Sequence, residues 1–159
     1  MYVPVGSHDT ERLLTKVEGS VEKAKLAFLF QFAYPGAPAV YYGDEIGLTG
    51  GKDPECRGAF LWDPKYWNTE LRDWVKTLIA LRKQFTALRR GGFERLCMDV
   101  ECGCYAFVRT HADGNVAMVL NAAPDERRYC VTAQPAGWQD GVVLRDLLRA
   151  GNEYVVSQG

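Results

Sequence analysis

The sequence predicts an α/β segment followed by a small, all-β antiparallel domain, and three observations carry that prediction. A short apolar run, a long apolar helix and a second short apolar run follow one another, the order of a parallel βαβ unit. A second helix with a clear apolar stripe comes next. Beyond Gly91-Gly92 the chain turns short, β-branched and rich in turn residues, with Asp113-Gly114 between two strand-like runs.

The elements follow in chain order. Tyr2-Val3-Pro4-Val5 is the first apolar run, closed by Gly6. Ser20 is placed to cap a helix whose body, AKLAFLFQFA, is apolar on nearly every side, so the spacing predicts a buried rather than an amphipathic helix. Tyr34-Pro35-Gly36 ends it, and PAVYYG reads as a short strand between Pro38 and Gly43. A long loop rich in Gly, Asp and Pro runs from Gly43 to about Asn68; loops of that length in compact domains are usually functional or disordered. Asn68 or Thr69 then starts a helix with Glu70 in its first turn. Leu71, Trp74, Val75, Leu78, Ile79 and Leu81 form its stripe, Phe85 and Leu88 continue it, and Gly91 is placed to end it. In the last part CYAFVRT, HADGN and VAMVLN predict a hairpin. Arg128 to Thr132, Val142 to Leu144 and Tyr154 to Ser157 are further strand candidates. A β domain of roughly 65 residues is marginal by itself and is expected to lean on the first region.

Composition narrows the function. The chain has 159 residues, of which 47% are hydrophobic and 25% charged, with a formal net charge of -1. Such a balance gives no field to attract phosphate backbones or anionic membranes, so no nucleic-acid partner is expected. No apolar run approaches the roughly 18 residues that span a bilayer, and no signal segment follows Met1, which predicts no membrane partner and a cytoplasmic location. Five cysteines, Cys56, Cys97, Cys102, Cys104 and Cys130, are an odd number and fit a reducing compartment. Cys97, Cys102, Cys104 and His111 lack the C-x2-4-C spacing of structural zinc sites, so no metal is expected and buried thiols are the default reading.

By spacing alone, the features that can carry chemistry are His8-Asp9, VYYGDEIG, the pair Asp53 and Arg57, and exposed-looking aromatics such as Trp62 and Trp67. A carboxylate accepts hydrogen bonds from hydroxyls, a guanidinium donates a fixed fork, and aromatic rings offer flat apolar faces, so the set suits a sugar or polyol. The bland alternative is that Asp53 and Arg57 pair only with each other on the surface, which contributes little. His8-Asp9 could equally be a base oriented by a carboxylate.

The motifs GSHDTERLLT, PAVYYGDEIGLTGGKDPECRGAFLWD and LIALRKQFTALRRG together resemble the alpha-amylase family of glycoside hydrolases, in particular its neopullulanase, cyclomaltodextrinase and maltogenic amylase branch. The resemblance runs from about Gly6 to Gly91. It implies that residues 1–91 are the last quarter of a (β/α)8 TIM barrel, with strands 7 and 8 at Tyr2 to Gly6 and Ala39 to Tyr42 and helices 7 and 8 at Ser20 to Ala33 and Glu70 to Arg90. Residues 92–159 would then be a small antiparallel β-sandwich domain. It further implies that Asp9 is the third catalytic carboxylate, which stabilises the transition state, that His8 binds the same sugar, and that Asp53 and Arg57 hold sugar units on the non-reducing side of the cleavage point. Asp44 and Glu45 fall in a motif read as structural, through loop capping and buried ion pairing.

The substrates implied are alpha-glucan oligosaccharides with α-1,4 links: malto-oligosaccharides, cyclodextrins or pullulan. No cofactor is implied, because the reaction needs carboxylates and water. The family places its nucleophilic aspartate and acid/base glutamate on strands 4 and 5, upstream of the His-Asp motif, so a chain of this extent is expected to be a C-terminal fragment that is inactive alone. Unpaired strand edges and uncovered apolar helix faces predict a homo-oligomer. The alternative function is a non-catalytic carbohydrate-binding or interaction module.

Overall fold

The computed structural model describes residues 1–157. The chain divides into two compact units, Met1–Gln84 and Phe85–Gly159; Gln158 and Gly159, assigned above to the β domain, lie outside the described residues.

In the first unit β1 (Tyr2–Pro4) and β2 (Ala37–Ala39) pair in parallel, Tyr2 with Ala37 and Pro4 with Ala39, and the crossover between them carries α1 (Leu13–Lys16) and α2 (Val21–Ala33). The βαβ unit read from the sequence is therefore present, with shorter strands than expected. Val40 to Tyr42, the most strand-like part of PAVYYG, lies past the ladder, because β1 stops at Pro4 and the chain turns away at Gly6.

The Ser20 side chain caps α2, accepting from the Lys23 amide at 3.2 Å. Pro35 holds Tyr34 in an extended conformation and so stops the helix. Gly36 (φ +118°) makes the turn into β2, where a Cβ would meet the Met1 carbonyl at 2.8 Å. Ala24, Phe28 and Phe32 pack with Leu13 of α1 and with Leu71, Val75 and Leu78 of α3 (Thr69–Gln84) to form the core. Contrary to the expectation of an all-round buried helix, Leu26, Ala27, Leu29 and Phe30 are only half-buried within this unit. The Asn68 side chain caps α3 through the Leu71 amide at 2.9 Å. Lys25 joins the helices through Glu70, and the Trp74 indole donates to the Lys25 carbonyl.

The apolar stripe of α3 does not run on to Gly91 as the spacing predicts. Phe85 is extended (φ −96°, ψ 114°) and separates α3 from a short α4 (Thr86–Arg90). The reason lies in burial: Leu71, Val75 and Leu78 serve the core of the first unit, whereas Ala87 and Leu88 are buried in the second. Between β2 and α3, the long loop contains only single 3-10 turns at Asp44–Ile46, Glu55–Arg57 and Pro64–Tyr66.

In the second unit β3 (Glu94–Asp99), β4 (Cys104–Arg109) and β5 (Val116–Asn121) form an antiparallel sheet with β4 central. The predicted hairpin is β4-β5, its turn closed by the Asn115 side chain, which accepts from the His111 amide at 3.0 Å. Leu96, Ala106, Val108 and Ala136 form the core under Trp138. Arg109 is buried on β4 and donates to the carbonyls of Leu88, Gly91 and Gly92, closing the C-terminal end of α4. A second small sheet pairs β6 (Val143–Arg145) with β7 (Glu153–Val155), each within two residues of its sequence-based bounds. Arg128 to Thr132 joins no sheet. Among the described residues no helix is long and apolar enough to cross a membrane.

Candidate functional site

The site begins where β1 ends. The loop after Pro4 folds back on itself: the Ser7 amide donates to Thr10 Oγ1 at 3.1 Å and the Asp9 amide to Ser7 Oγ at 3.2 Å. That turn leaves His8 and Asp9 outside, with side chains 64% and 67% exposed and His8 Nε2 at 3.1 Å from Asp9 Oδ2. The second half comes from the long loop, brought close by the Arg12 amide, which donates to the Gly50 carbonyl at 2.9 Å, and by the Gly50 amide, which donates to the Thr15 hydroxyl Oγ1 at 3.0 Å.

All four sequence-predicted site residues meet there, and Arg57 joins them. Its Nε lies 2.9 Å from Asp53 Oδ1 and donates to the His8 carbonyl at 3.2 Å, while Nη2 lies 3.5 Å from Asp9 Oδ1. The Cys56 thiol, buried under the loop, donates to the same His8 carbonyl at 3.0 Å. The pairing of Asp53 with Arg57 is therefore not exclusive: the guanidinium bridges two carboxylates from two loops. Asp53 and Arg57 are themselves half-exposed or more, and ion pairs in such water contribute on the order of 0–1 kcal/mol to stability. As a stabilising device the cluster is weak. Its open acceptors and its donor fork remain available to hydroxyl groups of a ligand.

Beneath the cluster lies a set of residues whose spacing gave little warning. Arg12, fully buried, packs against the adjoining rings of Tyr41 and Tyr42, its guanidinium carbon 4.3 and 4.5 Å from their centroids. It faces the buried Asp44 carboxylate at 3.5 Å, donates to the Tyr42 carbonyl and reaches the Gly58 carbonyl at 3.4 Å. Glu45 accepts from the Gly43 amide at 2.8 Å. Asp44 and Glu45 thus do the buried pairing and loop capping read from the sequence. Gly6 is required here for space, since a Cβ would stand 2.1 Å from Asp44 Oδ2.

Burial pushes the Asp44 carboxyl up to about 6, against the pull of the Arg12 guanidinium and the Leu13 amide. Between an unfolded value of about 3.9 and about 6, the folded chain holds a proton that the unfolded chain has released. Asp44 therefore makes stability fall as pH rises through that window and adds no slope above it. Asp44→Asn removes this dependence. Urea unfolding at several pH values between 4 and 7.5 is expected to show the parent losing about 3 kcal/mol relative to the variant, mostly between pH 4 and 6. Parallel profiles would contradict the assignment.

The aromatics singled out by sequence lie further along the loop. Trp62 is 82% exposed, whereas Trp67 is half-buried under the Arg72 guanidinium, with its indole on the Leu61 carbonyl. In the second unit Cys97, Cys102 and Cys104 are free thiols, and the His111 ring accepts from the Asp113 amide at 3.2 Å. Among the described residues no group of three His, Cys, Asp or Glu side chains is placed to hold a metal ion.

Comparison with known proteins gives concordant matches. The model of the alpha amylase catalytic domain matches residues 2–78. Cyclomaltodextrinase of Geobacillus thermopakistaniensis is 52% identical over 117 residues, which is 74% of this chain and 20% of the relative. Neopullulanase 2 of Thermoactinomyces vulgaris is 42% identical over 137 residues, 84% of this chain and 23% of the relative. Among solved structures, the cyclic alpha-maltosyl-(1→6)-maltose hydrolase of Arthrobacter globiformis, in complex with cyclic alpha-maltosyl-(1→6)-maltose, aligns with a TM-score of 0.72 at 45% identity, covering 76% of this chain and 27% of that one. The chain spans between a fifth and a quarter of the length of these two curated relatives.

Proposed function

This chain belongs to the alpha-amylase family, and from that premise we propose that it supplies one wall of the active site of a retaining alpha-glucan hydrolase acting on α-1,4 links of malto-oligosaccharides, cyclodextrins or pullulan. In this reading residues 1–91 are strands 7 and 8 and helices 7 and 8 of a (β/α)8 barrel, and residues 92–159 are a β-sandwich domain. Asp9 is the carboxylate that stabilises the positive charge developing on the sugar, and His8 binds hydroxyls of that sugar. Asp53 and Arg57 hold the units on the non-reducing side. The observation that carries the proposal is the Arg57 bridge between Asp9 and Asp53, which gathers one acidic and basic cluster just beyond the C-terminal end of β1, the end where barrel enzymes keep their chemistry.

The reaction also needs a nucleophile and an acid/base carboxyl roughly 5 to 5.5 Å apart. In this reading they stand on strands 4 and 5 of the barrel, which residues 1–91 do not include. The 159-residue polypeptide by itself therefore leaves cyclodextrin intact, and activity returns when the missing barrel strands are supplied. The free thiols fit a cytoplasmic setting. The half-buried apolar side of α2 favours assembly with another copy or with further barrel helices.

A chimera tests this: the matching 117-residue stretch of the cyclomaltodextrinase relative is replaced by the one from this chain. With maltotriose or a cyclodextrin as substrate, Asp53→Ala in the chimera is expected to raise KM about tenfold or more, the loss of a charge-assisted hydrogen bond. An unchanged KM would remove Asp53 from substrate binding.

A further inference from the structure

We propose that Tyr42 is a positioning residue for Arg57, acting through a clasp that runs outward from the buried Arg12-Asp44 pair; the substrate part of this proposal rests on the function proposed above. The Tyr42 hydroxyl lies 3.2 Å from the Arg57 carbonyl and 3.0 Å from the Gly58 carbonyl, two successive acceptors on the strand of chain that carries the guanidinium. Its own position is fixed from within. Arg12 stacks on the Tyr42 ring, donates to the Tyr42 carbonyl and reaches the same Gly58 carbonyl as the hydroxyl does. Tyr41, whose ring lies against that of Tyr42, packs on the same guanidinium, and Asp44 balances its charge.

Arg57 needs such a fixture. It sits on a single 3-10 turn inside a long loop, and its side chain is half exposed. Exposed ion pairs are too weak to hold a long side chain in one place, so its pairs with Asp9 and Asp53 do not alone set where it stands. Its backbone must be set first. The hydroxyl of Tyr42 does this through two backbone carbonyls, so its role lies in the geometry of Arg57.

Tyr42→Phe removes the hydroxyl and keeps the ring on Arg12, so the core pair stays covered. Two measurements test the clasp. In the isotope-labelled 159-residue chain, Tyr42→Phe is expected to speed exchange of the Arg57 Nε–H with solvent about fivefold, in keeping with the loss of one hydroxyl-carbonyl hydrogen bond. In the chimera it is expected to raise KM for maltotriose about fivefold with kcat little changed, and to add nothing to the KM of Arg57→Ala. Unchanged Nε–H exchange overturns the clasp. Faster exchange with an unchanged KM, in a chimera where Arg57→Ala does raise KM, overturns the positioning role. If Arg57→Ala itself leaves KM unaltered, the functional reading of the cluster falls and the substrate part of this proposal with it, while the exchange result still decides the clasp.

Discussion

Asp9→Asn in the chimera lowers kcat for cyclodextrin by at least about a hundredfold while KM stays within a few fold, the scale seen when one preorganised group facing transition-state charge is removed. The substitution keeps the size and shape, deletes the negative charge and turns one acceptor oxygen into an NH2 donor. A neutral sugar in the ground state gains little from that charge, whereas an oxocarbenium-like transition state gains much, so the loss falls on kcat. Arg57 and His8 flank Asp9 at 3.5 and 3.1 Å and stay in place, which separates the effect from a collapse of the loop. Initial rates over a range of cyclodextrin concentrations check it. A kcat within a few fold of the parent would remove Asp9 from the chemistry.

Arg12→Met is expected to be the most damaging single change to stability. Arg12 is fully buried, and its loss leaves the Asp44 carboxylate without its counter-charge in a dry environment, a cost of about 3–5 kcal/mol. The Gly58 and Tyr42 carbonyls lose a donor as well. For a chain of this length the loss corresponds to a fall in Tm of about 10 °C or more. Because Asp44 titrates near 6, the effect is larger at pH 7.5 than at pH 5, where the carboxyl is largely neutral. Pairing Arg12→Met with Asp44→Asn is expected to cost less than the sum of the two. Thermal unfolding of the four proteins at both pH values measures this, and additive losses would mean that the two side chains do not act as a pair.

The cluster was legible in the sequence, and so was the buried pairing at Asp44, but not the partner that Asp44 pairs with. His8, Asp9, Asp53 and Arg57 were legible because short motifs with recognisable chemistry carry them. Arg12 lies in the same GSHDTER stretch, yet its partners are Tyr41, Tyr42 and Asp44, and nothing in local spacing links positions some thirty residues apart. Only the parallel pairing of β1 with β2 brings them together. The strands show the same limit. β3 has no legible alternation, because a bulge between Arg95 and Cys97 breaks the period of two. VYY has higher strand propensity than the APA that pairs, and the partner strand decided between them. Helix starts were read well, at Ser20 and Asn68, since a cap is a local event. The break at Phe85 was not, because it depends on which core each half of the stripe serves.

Gln31 bears on how this crossover can vary in length. Buried on α2, it uses both hydrogens of one amide nitrogen, donating to the Val3 carbonyl of β1 at 2.7 Å and to the Ala39 carbonyl of β2 at 2.8 Å. One residue inserted or deleted between Val21 and Gln31 turns that amide by about 100° and releases both carbonyls. Residues gained or lost between Ser7 and Ser20 leave it in place. Length is constrained there too, since Arg12 and Leu13 are buried ahead of the helix, so the turn that displays His8 and Asp9 is held between the end of β1 and a second buried anchor.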